Sequence, residues 1–169
     1  IKIESKLALT SIIDRTMPGI KKILPGIRSD SPVRDKLGDF VEEYWHFDNI
    51  TMRSEGSFIS DYCRWAKEKG YHANETKARA IYAMARDGIP TLSSRSTSTK
   101  MLVLEATRVL REVNKTLQSI LARMQEIAKS LPEYQVVRAM SGVGDVLAPR
   151  LIAEIGDIRR FHSGSALIA

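Results

Sequence analysis

Gly142-Val143-Gly144 is the stretch of this sequence best suited to meeting a ligand. Glycine accepts positive φ and close backbone approach, so a Gly-x-Gly spacing can fold a tight hairpin. Helical patterns lie on both sides of it, from Glu133 to Met140 and from Val146 to Ile155. In such a hairpin Val143 packs inward, and the amides of Gly142, Gly144 and Asp145 point outward at the start of the second helix. Free N–H groups and the positive end of a helix dipole suit an anion, and a phosphate in particular. Asp145 is the expected N-cap, its charge competing weakly with a phosphate. Pro149 falls in the first helical turn, where its missing donor costs little. Arg138 and Arg150 flank the turn as candidate phosphate contacts, with Arg159 and Arg160 further along. An ion pair with Glu154 or Asp157 is the alternative role for these arginines. Contacts to phosphates add affinity without reading base sequence. The same spacing also serves as a plain packing turn between helices, so two readings stand at this point.

Other reactive residues are poorly placed for catalysis. His46, His72 and His162 are too scattered for a metal site and read as surface or helix-end residues. Cys63 lies beside Tyr62 and Trp65 on an apolar helical face and reads as a buried, inert thiol. Glu42-Glu43 reads as a solvated helix face, and Lys21-Lys22 and Lys67 to Lys69 as solubilising charge. The Ser and Thr residues of 91–99 belong to a linker, not to a triad.

The elements that position the turn are helical throughout. Alternating β-branched runs and hairpin dipeptides are missing, so the expected class is all-α. Ser5 to Asp14 places Leu7, Ala8, Ile12 and Ile13 on one face. Met17-Pro18-Gly19 and then Pro25-Gly26 break the chain. Ser31-Pro32 is a capped helix start, followed by Leu37, Val41, Tyr44 and Trp45 at helical spacing. Ser54 or Ser57 opens a helix with Phe58, Ile59, Tyr62, Trp65 and Ala66 inward, closed by Gly70. Asn74 caps another, lined by Ala78, Ile81, Tyr82 and Ala85 and ended by Gly88. Residues 1–88 thus form a small helical subdomain, and 89–98 a polar, mobile linker.

From Thr99 to Leu131 neither Gly nor Pro intervenes. Leu102, Ala106, Val109, Val113, Leu117, Ile120, Met124, Ile127 and Leu131 form one apolar stripe. Its mean spacing of about 3.6 departs from a strict 3.5 repeat through a stutter at 113–117. A long, coiled-coil-like helix with one such stripe needs a partner to cover it, and a homodimer through 99–131 is the expectation. Residues 132–169 then carry the helix-hairpin-helix pattern.

The chain has 169 residues, 26 Lys+Arg and 20 Asp+Glu, a net charge of +6. The excess is spread evenly: +3 over 1–98, +2 over 99–133 and +1 over 134–169. That permits a polyanion partner without a dense basic stripe. One cysteine excludes an internal disulfide framework. No apolar run approaches the ~18 residues of a membrane span, and the reduced cytoplasm is the expected compartment. The chain starts without Met and ends on Ser165-Ala166-Leu167-Ile168-Ala169 with no cap, and is expected to be a piece of a longer protein.

Read at greater length, Met140-Ser141-Gly142-Val143-Gly144 through Leu151-Ile152-Ala153-Glu154-Ile155-Gly156-Asp157-Ile158-Arg159-Arg160-Phe161, then Ser165-Ala166-Leu167, carries a further signal. It resembles the opening of the C-terminal domain of insertion-sequence transposases of the IS-one-ten type (the IS116/IS110/IS902 family). The resemblance implies a parent enzyme with an RNase-H-like domain holding four acidic ligands for a divalent metal such as Mg. It also implies a later domain with a serine nucleophile beyond an Ala-Gly tract. Long helices between the two act as a coiled coil and support dimers, and some members use a structured guide RNA to choose DNA sites. Asp14, Asp30 and Asp35 lie in no matching motif, so no family catalytic residue maps onto this chain and the piece itself is expected to be inactive, with no cofactor of its own. The leading expectation is a transposase segment that contributes dimerisation and a backbone contact to DNA through Arg138, Gly142, Val143, Gly144, Asp145 and Arg150. The alternative is a non-catalytic helical scaffold that dimerises through 99–131.

Overall fold

The computed structural model describes residues 2–24 and 35–160. Among the described residues there are eight α-helices and no strand, the all-α class that the sequence predicts. They are α1 (Lys2–Thr16), α2 (Lys36–Tyr44), α3 (Phe47–Thr51), α4 (Glu55–Glu68), α5 (Glu75–Asp87), α6 (Thr97–Lys129), α7 (Glu133–Arg138) and α8 (Leu147–Ile155). The chain divides into two compact units, residues 1–114 and 115–169. The predicted helix start at Ser31-Pro32 and the breaker Pro25-Gly26 lie outside the described residues, as do His162 and Phe161.

The first unit is held by an aromatic core. α2 contributes Phe40 and Tyr44, and α4 contributes Phe58, Tyr62 and Trp65. Their rings meet edge-on or tilted, with centroids 4.6 Å apart for Phe40–Tyr44 and 5.8 Å for Phe40–Trp65. Such pairs contribute roughly 0.5–1.5 kcal/mol each beyond the area they bury. Burial pushes the Tyr44 and Tyr62 hydroxyls up to about 12, so both stay neutral. The caps are local. Ser54 accepts from the Ser57 amide at 3.3 Å, and Asn74 accepts from the Lys77 amide at 2.9 Å. Gly70 closes α4 with φ 71. Gly88 answers a different need: a Cβ there would stand 2.7 Å from both the Met84 carbonyl and the Phe47 ring.

α1 is turned relative to the sequence expectation. Leu9, Ile13 and Thr16 are buried and Leu7 is exposed. Met17 and Ile20, both fully buried, continue that face into the core and fix which side turns inward. Residues 89–98, expected to be mobile, are tied down at several points. The Thr91 and Leu92 amides donate to the Arg15 carbonyl at 2.9 and 3.1 Å. His46 Nε2 meets the Leu92 carbonyl at 2.9 Å, and the Ser94 hydroxyl donates to the Asp48 carboxylate. His46 is 2% exposed. Its Nδ1 accepts from the Asp48 amide at 3.0 Å, capping α3, so the helix-end reading holds and the surface one does not.

α6 is the long Gly- and Pro-free helix that the sequence predicts, ended before Pro132. Its buried positions differ from the expected stripe. Val103 is 0% and Leu110 7% exposed, whereas Leu102 is 46% and Val109 38% exposed. The inward residues are Thr99, Val103 and Leu110, with the buried Thr107 and the half-buried Ala106 between them. They continue through Val113, Leu117, Ile120, Met124, Ile127 and Leu131 with alternating steps of four and three residues. That is an unbroken heptad spacing, so the stutter was a consequence of choosing Leu102 and Val109 over their neighbours. Arg111 fastens the first half of α6 to α2, donating to Asp39 Oδ1 at 2.5 Å and Glu42 Oε1 at 2.7 Å. Tyr71 also donates to Asp39, at 2.6 Å. Glu42 is thus a partner of Arg111, not part of a merely solvated face. Cys63, expected to be buried, is half-buried and packs against the core.

In the second unit the end of α6, α7 and α8 share a small core of Ala128, Tyr134, Val143 and Ala148.

Candidate nucleic-acid interface

α7 places Tyr134 and Arg138 one turn apart, so both side chains reach the same side of the turn that follows. The chain then bends through 139–146 into α8. Gly142 has φ +81 and nothing lies within 4 Å of an added Cβ, so backbone conformation alone calls for glycine there. Gly144 is outside the left-handed region and in open space, against the expectation of positive φ at both glycines. One left-handed residue suffices for the bend. Val143 between them is buried against Ala128, Tyr134 and Ala148, as predicted.

Asp145 does not cap α8. The residue before the helix is Val146, which makes no side-chain cap bond. The Asp145 carboxylate instead accepts from Arg138 Nε at 2.6 Å and from the Tyr134 hydroxyl at 3.4 Å. A guanidinium offers a stronger, charge-assisted bond than a neutral amide, so it wins the carboxylate. The Arg138 hydrogen bond holds the Asp145 carboxyl below the usual range. Arg138 Nη1 also donates to the Val143 carbonyl at 3.1 Å, and Gln125 donates to the Asp145 carbonyl at 3.0 Å. The turn is therefore braced from α6 and α7 together.

That bracing leaves donors uncommitted. The Leu147 and Ala148 amides both donate to the Gly144 carbonyl, at 3.0 and 2.9 Å. The amides of Gly142, Gly144, Asp145 and Val146 have no acceptor among the described residues. Arg150 is exposed and carries no hydrogen bond or ion pair among the described residues, Glu154 included. It lines a shallow cavity of about 160 Å³ with Asp145, Val146 and Gln118. Arg159 pairs with Asp157 at 3.2 Å, the structural role the sequence left open. Of the two arginines singled out beside the turn, then, Arg138 is spent inside it and Arg150 is free.

Gln125 and Tyr134 were missed from the sequence. Tyr134 and Arg138 four residues apart, upstream of an acid in the turn, are the local signal for the brace. Among the described residues no group of three or more His, Cys, Asp or Glu could hold a metal ion.

The geometry is that of a turn between two short helices, braced by Arg138 and Gln125, with backbone donors uncommitted at the start of α8. Residues 134–169, which take in α7 from its second residue, the turn and α8, match the transposase IS116/IS110/IS902 family. The last fifth or so of the chain is therefore similar to transposase sequence, in the stretch whose residues resembled it. That supports a transposase-related role for this segment. No curated protein and no solved structure matches the chain. No helix among the described residues is long and apolar enough to cross a membrane.

Proposed function

We propose that the chain is part of a DNA transposase of an insertion sequence, in which it supplies a nucleic-acid backbone contact and a self-association helix. The observation that carries the reading is the coincidence of the family match at 134–169 with the open amides at the start of α8. In this reading α7, the turn and α8 act as a helix-hairpin-helix. The amides of Gly142, Gly144, Asp145 and Val146 face a phosphate, Val143 anchors the turn, and Arg150 adds a charged contact. Arg138 and Asp145 belong to the site as its brace. The dipole of α8 and the free donors need no side-chain rearrangement to accept an anion. No catalytic group is assigned to this chain. A structured RNA is the second polyanion that the same surface would meet.

The test is binding of a duplex DNA of arbitrary sequence, with a structured RNA as competitor. Gly142→Val places a β-branched residue at positive φ and closes the turn to a phosphate. Gly142→Val together with Gly144→Val is expected to weaken DNA binding at least tenfold while far-UV circular dichroism stays helical. Unchanged binding would remove the turn from the interface.

A second reading, a helical scaffold without nucleic-acid contact, draws on the exposed stripe of α6, where Ile120 is 50% and Ile127 52% exposed. Self-association without any DNA binding would favour it.

A further inference from the structure

The turn lies against one side of α6, and the helix face next to it is basic. Gln118, Ala122 and Gln125 of α6 line one cavity together with Asp145, Val146 and Arg150. Lys115 and Lys129 stand seven residues before and seven residues after Ala122. Seven residues are nearly two helical turns, so the three share a face. All three are exposed. The Asp145 carboxyl is held below the usual range by its Arg138 bond first and, more weakly, by the charge of Lys129, which puts that ammonium beside the turn.

The charge on this face is uncommitted. Among the described residues, Lys115, Lys129 and Arg150 make no hydrogen bond or ion pair, whereas Arg123, Arg138 and Arg159 each hold a carboxylate. Each lysine has an acid three residues before it, Glu112 and Glu126, the spacing of an ordinary helix-surface pair. Neither pair forms among the described residues, and Glu126 is taken by Arg123 at 3.0 Å. Glu126 is also the one carboxylate between 115 and 129. Ala122 raises only a methyl group between the two lysines, so a backbone can approach the helix there.

We propose that a DNA duplex lies along α6 beside the turn, with Lys115 and Lys129 holding its phosphates on either side of the contact at Arg150 and the turn amides. The inference rests on the nucleic-acid reading above and adds the track of the duplex and its length. Fourteen residues of helix span about 21 Å. That equals roughly six base-pair steps at 3.4 Å each. A straight basic edge of that length suits the even phosphate spacing of a duplex. A single strand is held on aromatic side chains that stack its bases, and no aromatic residue lies between 115 and 129.

The salt dependence of binding to a short duplex of arbitrary sequence tests the track. Each neutralised phosphate contributes about 0.9 to the slope of log affinity against log salt, so Lys115→Gln with Lys129→Gln is expected to lower the slope by about 1.8. Each single change is expected to lower it by about half as much. Glutamine keeps the helix propensity of lysine, so these exposed positions stay folded. Lys67→Gln with Lys69→Gln removes the same charge from the end of α4 and is expected to leave the slope unchanged. Equal losses in the two double variants overturn the track, since net charge alone then sets binding. An unchanged slope for the α6 lysines, where Gly142→Val with Gly144→Val still weakens binding, overturns the track and leaves the turn as the contact. No duplex binding by the wild type overturns both. The same lysine dependence on a structured RNA, with none on duplex DNA, overturns the duplex.

Discussion

The two halves of α6 carry the same repeat and meet different fates. Thr99, Val103 and Leu110 disappear into the aromatic unit, where α2 clamps the helix through Arg111. Beyond residue 114 the repeat continues, but the second unit packs against the side of the helix, at Ala128, and leaves the stripe itself open. A heptad pattern alone therefore does not say whether its cover is internal or external. What decides is how much core stands nearby. The first unit has a dozen large side chains almost wholly buried, led by Tyr62, Phe40, Phe47 and Phe58. The second has four small or single-ring residues.

The largest expected effect breaks the richer core. Phe40→Ala is expected to cost about 3–5 kcal/mol, read by urea unfolding through the fluorescence of Trp45 and Trp65, both in the first unit. Val143→Ala in the second unit is expected to cost roughly 1–2 kcal/mol and to leave that fluorescence transition in place. A common shift of both would show that the two units unfold as one.

Next is the inward choice on α6. Leu110→Ala is expected to cost about 2–4 kcal/mol, and its neighbour Val109→Ala no more than about 0.5 kcal/mol. Equal losses would return Val109 to the stripe. Arg111→Ala leaves Asp39 and Glu42 without their shared donor and is expected to cost roughly 1–3 kcal/mol. Arg111→Lys is expected to restore little, since a single ammonium cannot span both carboxylates as the guanidinium fork does.

The smallest effect is a pH dependence in the first unit. Asp35 caps α2, accepting from the Gly38 amide at 3.0 Å. Burial raises its carboxyl above the ordinary value of 3.8, with the Gly38 bond and Arg111 opposing. A raised folded-state value means that its contribution is full below the unfolded value and falls as pH climbs through the folded one. Asp35→Asn keeps an acceptor for Gly38 without the buried charge. Thermal unfolding of the wild type relative to Asp35→Asn is expected to weaken as pH rises through that window, and a flat difference would contradict it.

Helix existence and capping were legible because they are local. Ser54, Asn74 and Gly70 serve their helix ends as their types and spacing require. The face of a helix was less legible where two apolar residues adjoin. Leu102-Val103 and Val109-Leu110 each offer either side, and only packing chose Val103 and Leu110. His46 looked superficial because its burial depends on Leu92, 46 residues away. At the turn, the glycine pair and the inward Val143 were readable. The loss of Asp145 to Arg138 was not, because an N-cap preference assumes no stronger donor within reach, and here one stood 2.6 Å away.

The central claim is that the turn presents free donors to a nucleic-acid backbone, with Arg150 as its charged contact. The most direct measurement is duplex DNA affinity against salt for wild type and Arg150→Ala. Each neutralised phosphate contributes about 0.9 to the slope of log affinity against log salt. The account predicts a slope about 0.9 shallower for Arg150→Ala, with weaker binding on every DNA sequence. An identical slope and affinity for the two proteins, or no DNA binding by either, would contradict it.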